Sequence, residues 1–208
     1  MFPPAYFLTL DIMLQFITAV VALAVAVFAF RGFRWVGEKN LLYIYLAFII
    51  LAVAFFASGV TYTYAWLAKL TFAKGAAPLF VLDLGLWTYY ILSIAAYGIL
   101  AFAYLHRVRD IPVAAAIAGT SLFLAAPPLE TIMIVLLFVI FLSQLTHYSA
   151  KSSQNSLIVM SSFLMLLLSH VFILFGNLAS LSYVVGKILQ LFAFISLLYL
   201  VSRMRGSS

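Results

Sequence analysis

Apolar positions recur along this chain in long unbroken runs, interrupted at short intervals by charges or helix breakers. A bilayer core needs about 20 apolar residues per helix. Read by that rule, the chain divides into spans near 5–30, 41–67, 80–105, 111–126, 129–149, 156–176 and 181–203. Each break has a local cause: Arg31-Gly32-Phe33-Arg34, Lys74-Gly75 with Pro78, His106 to Asp110, Pro127-Pro128, Lys151 to Asn155, and Gly176-Asn177. The pattern predicts an all-α integral membrane protein, a single seven-helix transmembrane bundle over 1–208. The fourth span is the shortest, and at ~16 residues it would rise only ~24 Å.

Charge placement supplies an orientation. With seven crossings and the N-terminus outside, Arg31, Arg34, Lys39, Arg107, Arg109, Lys151, Arg203 and Arg205 fall inside, and only Lys69 and Lys74 fall outside. That asymmetry obeys the positive-inside rule and would be lost if 111–126 did not cross. Tyr62, Tyr64 and Trp66 at one end of the second span, and Trp35, Tyr43 and Tyr45 at the other, match interfacial aromatic belts. The first span is longer than a signal-peptide core and lacks a basic leader, so it reads as a retained helix. The expected location is a multi-pass protein in the plasma membrane of a prokaryote, with its C-terminus inside.

Composition narrows the function. Hydrophobic residues make up 67% of the 208 and charged residues 8%, which leaves no stretch for a soluble domain. The formal charge of +6 is explained by orientation, so no nucleic-acid partner is expected. There is no cysteine, which removes thiol and thiolate-metal chemistry. His106, His147 and His170 are scattered, and neither a phosphate-binding Gly-rich loop nor a nucleophile elbow is present. The sequence therefore points away from an enzyme, a metal site or a resident cofactor.

Ionisable residues inside a span are functional candidates by default, because charge at the bilayer centre is costly. Asp11, Asp83, Glu130, His170 and Lys187 all fall in the outer half. Helical spacing extends them into stripes: Asp83, Trp87, Tyr90 and Tyr97 on the third span; Tyr183, Lys187 and Gln190 on the seventh; His170 with Asn177 on the sixth; Asp11, Gln15 and Thr18 on the first. Lys187 lies too deep to reach the surface along its own stem, so a buried pair with Asp83 or Asp11 is expected. Glu130, directly after Pro127-Pro128, is explained by the helix dipole alone. The expected site is an outward-facing polar pocket for a small molecule, formed by Asp11, Asp83, Trp87, Tyr90, His170, Tyr183, Lys187 and Gln190.

A lysine in the last of seven helices, an outside N-terminus and an aspartate in the third helix resemble the plan of microbial rhodopsins. That resemblance implies retinal on Lys187, although Tyr183 stands where the family has an aspartate and 156–176 has neither Trp nor Pro. The basic stretch from Arg31 to Tyr43, followed by a long Leu/Phe-rich helix, is similar to microbial seven-helix sensor modules found ahead of histidine kinases. This resemblance implies a sensor or receptor that signals through a membrane or cytoplasmic protein partner at its basic inner face. The alternatives are a transporter or membrane subunit of a larger complex, and a scaffold whose charged pairs only fix packing.

Overall fold

The computed structural model describes residues 5–71, 77–105, 128–177 and 180–203. Six long helices account for almost all of them: α1 (Ala5–Val36), α2 (Lys39–Thr71), α3 (Ala77–Leu105), α4 (Pro128–Ala150), α5 (Gln154–Leu174) and α6 (Ser180–Arg203), with one 3₁₀ turn, Phe175–Asn177. No strand occurs among the described residues. All six helices are long and apolar enough to cross a membrane, where a helix satisfies every backbone group internally. The expected fourth span, 111–126, lies outside the described residues.

Helix ends follow local chemistry. α1 does not stop at Arg31-Gly32-Phe33-Arg34 as expected but continues to Val36. Charges at an interface do not break a helix, because long basic side chains reach water from its last turns. Gly37 breaks it: its φ is 71°, and its N–H still bonds to Phe33 O at 2.8 Å. At the start of α5, Ser153 caps the helix, its hydroxyl accepting from Ser156 N while Ser156 Oγ returns to Ser153 N.

The helices form a ring in which each packs on its neighbour in order and α6 returns to α1. Small residues face inward, with Ala19, Ala22, Ala26 and Ala29 making a buried stripe on α1. Many apolar side chains face outward, among them Met13, Val20, Phe56, Ile91, Phe102 and Phe192, while Phe48, Phe55, Tyr97, Phe163 and Phe194 are buried within. The alanine stripe and the outward apolar side chains fit lipid, where small residues let helices approach closely. Gly85 lets α3 close on Thr61 of α2, and a Cβ at Gly186 would lie 2.7 Å from Ser169 O of α5.

One pair of neighbours is unusual. Tyr90 of α3 meets Glu130 of α4, and fourteen residues further on Tyr104 O accepts from Ser143 Oγ at 3.2 Å, thirteen residues beyond Glu130. α3 and α4 therefore run in the same direction, whereas α1 and α2 (Phe30 with Tyr45, Phe16 with Phe56) and α2 and α3 (Phe55 with Tyr89, Tyr43 with Phe102) are antiparallel.

Candidate functional site

The starts of α1, α3, α4 and α6 and the ends of α2 and α5 share one end of the bundle, and polar side chains concentrate there. Asp11, Gln15 and Thr18 on α1, Ser58 on α2, Ser93 on α3, Glu130 on α4, Ser169 and His170 on α5, and Lys187 and Gln190 on α6 are all buried. They form two charged groups.

The first joins α1 to α6. Tyr183 donates its hydroxyl to Asp11 Oδ2 at 2.8 Å, and Lys187 Nζ stands 4.0 Å from Asp11 Oδ1. The ammonium also lies 5.5 Å from the ring centroids of both Tyr89 and Tyr183, close enough for cation–π attraction. Tyr62 of α2 reaches Tyr183 from the side. Opposite charges 4.0 Å apart attract without direct contact, and Asp11 Oδ1 has no hydrogen-bond partner.

The second joins α3, α4 and α5. His170 Nδ1 is 2.9 Å from Glu130 Oε2, and His170 Nε2 is 3.2 Å from the Tyr97 hydroxyl. Tyr90 donates to Glu130 Oε1 at 3.2 Å. Both carboxylate oxygens and both ring nitrogens are thus engaged, and the imidazole is held edge-on to the Tyr97 ring. Glu130 occupies the first turn of α4, where the helix dipole favours its negative form. Gln190 sits against Tyr89 and Tyr97, between the two groups. Its Nε2 and the Ser93 hydroxyl are buried without partners.

Below this layer the buried side chains are mostly apolar, with Ser143, Gln144, Ser156 and Ser162 as uncharged polar exceptions among the described residues. Phe194 contacts Phe48 and Phe55 edge-on, both at 5.6 Å between centroids, and Tyr104 meets Phe163 at 5.4 Å. Leu51, Leu100, Leu137, Ile140 and Leu166 fill the space between them.

Of the residues expected from the sequence, Asp11, Tyr90, His170, Tyr183, Lys187 and Gln190 come together. Asp83 and Trp87 do not: both are exposed on the outer side of α3. The partner of Lys187 is Asp11, not Asp83. The inward face of α3 is Tyr89, Ser93 and Tyr97, which the expected stripe of Asp83, Trp87, Tyr90 and Tyr97 shares only at Tyr97. The charged atoms are enclosed rather than open to one side: Asp11 is 3% exposed, Lys187 6%, Glu130 4% and His170 0%. Glu130 was the residue that sequence reasoning set aside. Its clue was His170, a second ionisable residue at similar depth.

Among the described residues, no group of three or more His, Asp or Glu side chains is arranged to hold a metal ion. Comparison with known proteins finds no matching family model, no similar curated protein and no similar solved structure.

Proposed function

We propose that this protein is a seven-helix membrane sensor, in which the enclosed polar end takes a small ligand and the basic opposite end passes the change to a protein partner. The observation that carries this reading is the one-sided interior, with two charged groups at one end above an aromatic and aliphatic floor. Such groups are costly in a membrane and mark function by default. The closed floor favours sensing over conduction, because a polar path would have to continue through it.

The topology belongs to the same proposal. Because α3 and α4 are parallel, the chain between Leu105 and Pro128 must return from one end of the bundle to the other. Those 22 residues span ~33 Å as a helix, enough for one ~30 Å crossing. In this proposal residues 111–126, which lie outside the described residues, supply the fourth of seven crossings. The polar end faces outward, and Arg34, Lys39, Lys151 and Arg203 lie inside, as positive charge prefers.

The test is Lys187→Met in purified, reconstituted protein. The sensor reading predicts lower thermal stability and loss of any ligand-induced stabilisation found by screening small polar molecules against the wild type. Unchanged stability and response would overturn it. Two other outcomes would replace it: solute uptake into liposomes by this chain alone would make it a transporter, and a visible absorption band lost in Lys187→Met would make it a retinal protein.

A further inference from the structure

We infer that Glu130 and His170 together form a proton-binding site, and that the proton is the ligand taken by the enclosed end of the bundle. The inference rests on the sensing reading above and names its stimulus. Glu130 and His170 are almost wholly buried, so anything larger than a proton would need the helices to part. A proton needs only a hydrogen-bonded donor at the edge, and half-buried Tyr90, bonded to Glu130 Oε1, provides one.

Charge accounting makes the site take up one proton. With Glu130 ionised and His170 neutral, the pair carries one negative charge in a low-dielectric interior, an expensive state. One added proton brings the pair to zero, either as imidazolium with carboxylate or as neutral imidazole with carboxylic acid. The other ionisable groups facing this space do not cancel that charge. From α6 comes Lys187, but it stands beside Asp11 of α1, which offsets it. From α2, α3 and α6 come Tyr62, Tyr89, Tyr90, Tyr97 and Tyr183, which as phenols carry no charge near neutral pH.

The geometry also gives the proton a readout. In the loaded ion pair both ring nitrogens carry hydrogen, so Nδ1–H donates to Glu130 Oε2 and Nε2–H donates to the Tyr97 oxygen. After release, Nδ1–H still donates to the carboxylate, but Nε2 is a lone pair and must accept from the Tyr97 O–H. Proton release therefore reverses the Tyr97–His170 hydrogen bond. Tyr97 is fully buried and belongs to the same packed cluster as Leu100, Leu137 and Phe163, which places the reversal at the boundary between the polar end and the floor. The sign follows: the neutral, proton-loaded state holds α3, α4 and α5 together at low pH, and rising pH leaves a buried negative charge that loosens them.

The experiment is nitrogen-15 NMR of histidine-labelled full-length protein in nanodiscs, with the three histidines assigned by His106→Gln and His147→Gln. The wild type should show His170 Nε2 passing in one step from protonated to unprotonated as pH rises, with Nδ1 protonated throughout in the ion-pair form or gaining its hydrogen at the same step in the carboxylic-acid form. In Glu130→Gln, which keeps a hydrogen-bonding group without a charge, that step should vanish or be displaced by roughly 1–3 pH units. If Glu130→Gln does not fold, Tyr97→Phe serves instead: the step should remain and the Nε2 signal alone should change. An Nε2 that keeps one protonation state wherever the protein stays folded, or a titration identical in wild type and Glu130→Gln, overturns the inference. The two readings fail separately. A His170 that titrates while the inner helix ends stay fixed leaves the proton site standing and removes the sensor, and a silent His170 with inner ends that answer another molecule does the reverse.

Discussion

The two charged groups at the polar end are built differently. Asp11 and Lys187 face each other across 4.0 Å, flanked by tyrosine rings and with one carboxylate oxygen unpartnered. Glu130 and His170 are in contact at 2.9 Å, with every polar atom engaged. A lysine keeps its charge over the working pH range, whereas an imidazole changes state within it. In the reading proposed above, the first group is a fixed electrostatic tie between α1 and α6 and the second is the element that responds.

The largest expected effect comes from breaking the fixed tie. Lys187→Met leaves Asp11 buried and unpaired, so the melting temperature should fall by the equivalent of about 3–5 kcal/mol. Adding Asp11→Asn to it should restore much of the loss. A double variant no more stable than Lys187→Met would show that the pair contributes little. Next in size is the scaffold under both groups. Gly186→Ala pushes a methyl group into Ser169 O and Ile173, and should cost about 1–3 kcal/mol in thermal unfolding, with the His170 NMR signals shifting because α5 moves. Glu130→Gln should change stability less near neutral pH but should flatten its dependence on pH, a contrast that Lys187→Met should not reproduce. Tyr183→Phe removes one hydrogen bond to a charged acceptor, worth about 1.5–3 kcal/mol at most. Asp83→Asn, on the exposed side of α3, should stay within about 0.5 kcal/mol of wild type. A large loss there would return Asp83 to the site.

The two groups also differ in how far the sequence revealed them. Lys187 and Asp11 interrupt apolar runs, and such interruptions are visible without any knowledge of neighbours. Glu130 has a sufficient local explanation after Pro127-Pro128, and only the meeting of α4 with α5, forty residues apart at the His170 contact, shows its second role. The third helix was misread for a related reason. Its expected stripe, Asp83, Trp87, Tyr90 and Tyr97, overlaps the inward one, Tyr89, Ser93 and Tyr97, at Tyr97 alone, and both are aromatic and polar. Periodicity finds such stripes, but the choice between them is made by packing, here by Gly85 closing on Thr61. The six described helices were legible throughout, because unbroken apolar length in lipid permits little else. Their exact ends were less so, with α1 running past its basic residues to Gly37.

The most direct test of the sensor account uses the absence of cysteine, which allows spin labels at introduced Arg34→Cys and Lys151→Cys. Pulsed electron resonance would then measure the distance between the ends of α1 and α4 opposite the polar groups in nanodiscs at acid and alkaline pH. The account predicts a distance distribution that shifts with pH in the otherwise wild-type chain and stays fixed when Glu130→Gln is added. One unchanged distribution across pH and across a panel of small polar molecules would contradict it.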